Sequence, residues 1–281
     1  CSTASASRSL SLQRMAKKHA LIRKLSAAET LGEVTVICSD KTGTLTKNEM
    51  TVKQIYSNSK LIKVTGEGYS TEGIFTLDNK TINPKELQKI LETAVFCNNS
   101  HIEEKELIGD PTEIALLVAA KKAKISLEHK RIEEDPFTSE KKYMATVDLI
   151  GNKKFYHIKG APEVILEKST YIYVNGALKR LEKKDKELIL KANEEMAKEA
   201  LRVLGFAYKP LEKRSELIFL GLIGMIDPPR EEAKNSIELC KKAGIRTIMI
   251  TGDHKITAQA IASQLWLGTK VLTGEELDKI S

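Results

Sequence analysis

Val34-Thr35-Val36-Ile37-Cys38-Ser39-Asp40-Lys41-Thr42-Gly43-Thr44-Leu45-Thr46 runs from apolar, β-branched residues into a carboxylate, a lysine and three threonines set around a glycine. The apolar part predicts a strand over 34–38, buried on both faces. A buried parallel strand delivers the residues after its carboxyl end to the crevice where open α/β sheets bind ligands. Gly43 lets the backbone bend where a side chain would obstruct, and the neighbouring N–H groups and hydroxyls then turn toward phosphate oxygens. Asp40, with a reference pKa of about 3.9, is an ionised nucleophile at neutral pH without an activating base. Its difficulty is repulsion by phosphate: like charges about 4 Å apart cost roughly 4 kcal/mol at an effective dielectric of about 20. Lys41 and a magnesium ion relieve that repulsion by neutralising carboxylate and phosphate together. The plainer alternative, for Asp40-Lys41 taken alone, is a solvated ion pair in a strand-end turn.

Working outward, a second apolar strand over 245–250 ends in Thr251-Gly252-Asp253 and precedes a helix over 254–266. Hydroxyl and backbone donors at such a helix start make an anion site. Asp253 also has the context of an N-cap. Asp227-Pro228-Pro229-Arg230 reads as the start of a helix that continues over 231–243. Between these flanks the pattern changes. Strands are predicted at 50–57 and 61–65, helices at 84–98 and 111–123, and a hairpin of 144–150 with 155–159 about Gly151-Asn152. A second hairpin joins 171–174 to 177–180 through Asn175-Gly176, a favoured two-residue turn. Helical periodicity covers 181–203, and two further apolar strands close the section. Strands joined by tight turns imply an antiparallel α+β unit, whereas alternating β and α in the flanks implies a parallel sheet. The expected class is α/β: a parallel-sheet domain in two pieces (32–49 and 225–281), an inserted α+β antiparallel-sheet domain (50–224), and a leader with a stalk-like segment (1–31).

Composition agrees. The 281 residues have room for two domains with real cores. Charged residues make up 30% and aromatics 5%, and no apolar stretch approaches the roughly 20 residues that a membrane helix requires. The net charge of +7 is modest. Its densest part, from Arg14 through Lys17, Lys18 and Arg23 to Lys24, suits anionic headgroups beside a membrane. No nucleic-acid-binding motif accompanies it. The four cysteines (Cys1, Cys38, Cys97, Cys240) lack metal-ligand spacing. Cys38 falls in the expected core strand and Cys240 in an amphipathic helix, which points to a reducing compartment without disulfides or zinc. The serine-rich residues 1–12 lack the pattern of a signal peptide.

The heptapeptide Asp40-Lys41-Thr42-Gly43-Thr44-Leu45-Thr46 resembles the phosphorylation motif of P-type ATPases. Further pieces match in that family's order: GDPTE at 109–113, FTSEKKYM at 137–144, KGAPE at 159–163, DPPR at 227–230 and TGD at 251–253. RMAKKHALIRKL at 14–25 and ETLG at 29–32 resemble the segment linking the fourth membrane helix to the phosphorylation loop. Aspartyl phosphates are the established covalent intermediates of such ATPases. The resemblance implies that the flanks form part of a Rossmann-like (HAD-type) phosphorylation domain and that the middle holds ATP. The combination of KGAPE, DPPR and RMAKK looks most like the calcium-pump-related type II branch, with calcium as the first choice of cation.

The resemblance implies a role for each matched residue. Asp40 is the phosphate acceptor, with Lys41 and Thr42 beside it and Thr251, Gly252 and Asp253 completing the phosphate site. Asp40 and the Thr42 carbonyl are the expected ligands of Mg2+. Phe137 stacks on adenine; an ordinary packed phenylalanine is the alternative. Lys142 and Lys159 are the cations along the nucleotide, and Gly160 comes next at the strand-to-helix turn. Glu113 lies near the adenine amino group, although Asp110-Pro111-Thr112-Glu113 also reads as a helix start with glutamate at its third position. Arg202 lies near the phosphates, or else at a solvated helix end. Asp227 and Arg230 lie at the hinge near the nucleotide. Hinges are expected at 48–52 and 225–230.

The family's phosphorylation domain continues to a lysine and a GDGxND loop, which lie past Ser281. This piece is therefore expected to bind ATP with little turnover. Transmembrane and actuator domains of a parent pump are its expected partners, at the cytoplasmic face of a membrane. Two rivals remain. A soluble phosphatase of the same superfamily usually carries a second aspartate two residues after the nucleophile, where this chain has Thr42; a long-lived phosphoenzyme suits that substitution. The other rival is a nucleotide-binding module without catalysis.

Overall fold

The computed structural model describes residues 13–17, 19–22, 24–103, 106–126, 128–212, 215–253 and 255–280. The expectations for residues 1–12, Lys18, Arg23 and His254 lie outside them. Helix α1 (Leu25–Gly32) leads into strand β1 (Val36–Asp40), which pairs in parallel with β15 (Arg246–Ile250). Among the described residues this pair is the whole of the parallel sheet with connecting helices on the flanks. Helices α6 (Glu231–Lys242) and α7 (Lys255–Gln264) lie to either side of β15 in sequence, and a short α8 (Gly274–Leu277) comes last.

The middle of the chain forms one large mixed α/β unit around an antiparallel sheet. Its strands are β2 (Thr51–Ser57), β3 (Lys60–Val64), β4 (Phe75–Leu77), β5 (Lys80–Thr81), β8 (Lys130–Asp135), β9 (Tyr143–Ile150), β10 (Lys153–Gly160), β13 (Arg202–Pro210) and β14 (Ile218–Ile226). They lie in the order β5-β4-β3-β2-β14-β13-β10-β9-β8. A hairpin of β11 (Tyr171–Val174) and β12 (Ala177–Arg180) joins through β11, parallel to β14. A separate small hairpin comprises β6 (His101–Glu103) and β7 (Glu106–Ile108).

Alternation along the strands divides the core between the two faces of the sheet. Ile55, Phe206 and Ile223 point toward helices α2 (Gln88–Phe96) and α3 (Pro111–Lys122). Ile158, Ala207 and Leu222 point toward α4 (Pro162–Lys168) and α5 (Lys183–Lys198). The second cluster continues into the flanks through Leu45, Ile237, Ile261 and Leu265. Phe206 and Phe219 are wholly buried, so truncating either to alanine is worth about 3–5 kcal/mol. The buried carboxylate of Asp148 accepts from Thr146 Oγ1 at 2.7 Å and meets His157 Nδ1 at 2.9 Å.

Several expectations are corrected. The strand at the head of the chain starts two residues later than expected and is largely exposed, Cys38 included, as is Ile250 on its partner. Two strands alone leave edges and faces uncovered, whatever their apolar content. The helix expected over 181–203 ends at Lys198, because Ala200 turns left-handed (φ 65°) and the following apolar run pairs with β10 and β14. Arg202 therefore opens a strand and does not end a helix. A single turn of tighter helix, Pro84–Leu87, precedes α2. Asp227-Pro228-Pro229 does not start a helix: Pro229 bridges Thr46, the Pro228 carbonyl accepts from Lys47 N–H at 3.1 Å, and α6 begins at Glu231.

Candidate functional site

Parallel register places Asp40 beside Ile250, so the chains leaving β1 and β15 emerge side by side. After Asp40 the backbone makes a type II turn, with Thr42 at φ −74°, ψ 123° and Gly43 at φ 74°, ψ −11°. That turn needs a positive φ at its third position, which is why glycine stands at 43. The wider loop is closed by the Lys41 carbonyl, which accepts from Thr46 N–H at 3.0 Å and has Thr46 Oγ1 at the same distance. Asp40 Oδ1 accepts from Lys41 N–H at 2.8 Å. Asp40, Thr42, Gly43 and Thr44 face solvent, whereas Lys41 turns inward. Its ammonium sits 2.6 Å from Asp253 Oδ2, with the two side chains 10% and 31% exposed. Thr251 Oγ1 accepts from Asp253 N–H at 3.1 Å and shapes that second strand-end turn.

The loop is fastened from the far side as well. Thr46 Oγ1 donates to Asp227 Oδ2, and Glu49 N–H donates to Asp227 Oδ1. Arg230 donates from Nε to the Thr46 carbonyl and from Nη2 to the Gly43 carbonyl, both at 3.1 Å. Asp227 and Arg230 thus join the Asp40 loop and hold its shape.

Those candidates gather at one end of the large sheet. Lys159 and Gly160 end β10, Tyr143 begins β9 opposite Gly160, and Arg202 begins β13. Lys159 Nζ lies 2.5 Å from Glu113 Oε1, the side chains being 8% and 14% exposed. Glu113 Oε2 accepts from Asn99 N–H (2.9 Å) and Ser100 N–H (3.1 Å). Asp110 caps α3 through Thr112 N–H at 2.8 Å, and Arg202 Nη1 donates to Thr112 Oγ1 at 3.2 Å. Glu113 is thus at the third helical position, yet its carboxylate reaches outward and does not return to the cap. A side chain at Gly160 would collide with the Lys142 carbonyl and Tyr143, so the strand end admits only glycine. Phe137 lies in the loop 136–142 at the same end and is 60% exposed, so it is no ordinary packed phenylalanine. Lys142 is exposed in that loop, its N–H bonded to the Thr138 carbonyl at 2.8 Å.

The same register fixes a larger relation. Met225 pairs with Arg202 and Ile226 with Thr51, so both crossings to the Asp40 loop leave from the sheet end that carries Lys159, Arg202 and Phe137. The oxygens offered around Asp40 and Thr42 are hard donors open to solvent, a set that fits magnesium, which keeps waters and shares carboxylate with phosphate. Sequence patterns did not reveal the Lys41–Asp253 pair, the Thr46–Asp227 bond or the turn at Asn99-Ser100. Each joins residues whose local context carries no mark of the partner.

Over residues 86–232 the chain matches the family model described as the P-type ATPase cytoplasmic domain N. It is 44% identical over 288 residues to the calcium-transporting ATPase 1 of Bacillus cereus, covering 97% of this chain and 31% of that protein. The calcium-transporting ATPase of Bacillus subtilis is 43% identical over 301 residues, with 97% and 34% covered. The human calcium-transporting ATPase type 2C member 1 is 38% identical over 284 residues, with 96% and 31% covered. The chain spans about a third of the length of these curated relatives.

Proposed function

The chain belongs to the P-type ATPases, and on that premise we propose that it is the nucleotide-binding and phosphate-accepting part of an ATP-driven cation pump. In this proposal residues 50–224 bind ATP, and residues 32–49 with 225–281 form part of a Rossmann-like phosphorylation domain. The relatives are calcium-transporting by name, and calcium is the cation we assign to the parent pump. The parent lies in a membrane with this part at its cytoplasmic face, beside transmembrane and actuator domains. No helix among the described residues is long and apolar enough to cross a membrane.

The observation that carries the proposal is the shared sheet end. Phe137, Lys142, Lys159 and Arg202 stand where both crossings depart for Asp40, so bending the crossings brings nucleotide and nucleophile together. Phe137, exposed in a polar loop, offers a face for adenine. The cations Lys142, Lys159 and Arg202 attract the phosphates. Asp40, already exposed, supplies a carboxylate oxygen that bonds to the γ-phosphorus as the bond to the ADP oxygen breaks and ADP leaves. Lys41, anchored by Asp253, lays positive charge under the loop, and the N–H groups and hydroxyls around Gly43 and Thr251-Gly252 receive the phosphoryl oxygens. Magnesium, bound through Asp40 and the Thr42 carbonyl, would supply charge neutralisation between carboxylate and phosphate. Hydrolysis of the acyl phosphate later resets the site. Thr42 stands where related phosphatases carry a second aspartate, which favours a slow second step.

Calorimetry with ATP on this chain tests the division of labour. Binding is expected to be weakened in Phe137→Ala and kept in Asp40→Asn. Acid-quenched labelling of the longer parent polypeptide with γ-labelled ATP is expected to mark Asp40. Label retained in Asp40→Asn would overturn the assignment.

A further inference from the structure

Arg131, in the edge strand β8, has no role in the site described so far, yet its guanidinium is heavily engaged. Nη2 donates to the carbonyls of Phe96 (2.8 Å) and Asn98 (2.5 Å), and Nη1 donates to Asn99 Oδ1 (2.5 Å) and Glu134 Oε2 (3.1 Å). The two carbonyls belong to the exit of α2, where a helix leaves acceptors without intrahelical partners. One planar fork thus fixes three successive features of the turn that leaves the helix. Asn99 adds a second tie, from Nδ2 to Glu134 Oε1 at 2.8 Å.

The turn so fixed has an outward consequence. Its next two N–H groups, of Asn99 and Ser100, both point at Glu113 Oε2, which leaves Oε1 for the Lys159 ammonium. Asn98 adds a donor to the Glu113 carbonyl at 3.0 Å and ties the turn to the first turn of α3. We infer that Arg131 is a positioning residue for the nucleotide site: it sets the Phe96–Ser100 turn, the turn orients Glu113, and Glu113 aims Lys159. The inference rests on the proposal that Lys159 and Phe137 bind ATP. Lysine at 131 keeps the charge but cannot bridge two carbonyls and an amide at once.

The test is ATP affinity of the 281-residue chain, measured by calorimetry well below the melting temperature, for Arg131→Lys, Arg131→Ala, Asn99→Ala, Glu113→Gln and Phe137→Ala. Arg131→Lys is expected to bind ATP about five- to tenfold more weakly, the size of one ordinary hydrogen bond. Asn99 is exposed, so Asn99→Ala carries the test should Arg131→Ala fail to fold. If Arg131 acts through Glu113, adding Arg131→Lys to Glu113→Gln costs little more, whereas adding it to Phe137→Ala multiplies the losses. The backbone amide resonances of Asn99 and Ser100 are expected to shift in Arg131→Lys. Unchanged affinity in Arg131→Lys and Asn99→Ala beside a weakened Phe137→Ala overturns this assignment alone, even if melting temperatures fall. Unchanged affinity in Phe137→Ala overturns the nucleotide site, and the Arg131 assignment with it.

Discussion

The hydroxyl of Thr46 donates to the carboxylate of Asp227 at 2.5 Å, across 181 positions of sequence, and both residues are buried. The same carboxylate receives Glu49 N–H, and the Leu45 carbonyl accepts from Arg230 N–H at 2.9 Å. The Asp40 loop is thereby built jointly by the two crossings. Asp227→Ala takes the acceptor from Glu49 N–H and leaves the Thr46 hydroxyl only the Lys41 carbonyl, a loss of about 1 kcal/mol. Urea unfolding measures it, and Asp227→Asn is expected to lose less. No loss in Asp227→Ala would mean that water replaces the carboxylate there.

Lys41 and Asp253 form the other tie across the loop. Removing one partner of a largely buried pair strands a charge, at a cost of about 3 kcal/mol. Asp253→Ala is expected to show that loss in chemical denaturation, and the double replacement Lys41→Met with Asp253→Ala to recover most of it. Equal loss in single and double variants would show that the two residues do not interact.

ATP is expected to raise the melting temperature of this chain, since a ligand at about 100 times its Kd stabilises by about 2.7 kcal/mol. Lys159→Ala is expected to remove most of that increment, whereas Asp40→Asn leaves it intact. Thermal scans with and without nucleotide decide between the two. An increment surviving in Lys159→Ala would place the nucleotide elsewhere.

The pair of Lys47 and Glu67, 3.1 Å apart, holds the Glu67 carboxyl below its ordinary value of 4.5, chiefly through the Lys47 hydrogen bond and then through its charge. A depressed carboxylate contributes stability above its unfolded pKa and loses it as pH falls through the lower folded value. The loss therefore begins below 4.5. Glu67 is 56% exposed, so screening limits the effect to about 0.3 kcal/mol. Unfolding midpoints of the parent and Glu67→Gln are expected to differ slightly at neutral pH and converge in acid or high salt. A difference that grows in acid would reverse the sign.

Burial pushes the Cys97 thiol up to about 11, while Cys38 on the exposed strand faces solvent. A thiol-specific reagent at mildly alkaline pH is expected to modify Cys38 well before Cys97, which stays untouched until the chain unfolds. Mass spectrometry of partially labelled protein gives the order directly.

The features legible in sequence were those with local causes. Asn175-Gly176 and Gly151-Asn152 announced their hairpins, and Asp110-Pro111 announced α3, because turn and cap chemistry is confined to a few neighbouring residues. The heptapeptide at Asp40 gave its turn for the same reason. The helix over 181–203 was overextended because Ala200 adopts a left-handed conformation without glycine to signal it. Exposure of β1 was missed because apolar composition records a preference for burial, while neighbouring strands decide whether it is met.

Thr51 and Ile226 are register partners on adjacent antiparallel strands, so the 176-residue stretch they bound starts and finishes within about 5 Å. A module whose termini touch is a cassette. Ends so close let it sit as an insertion between two pieces of host chain without moving those pieces apart.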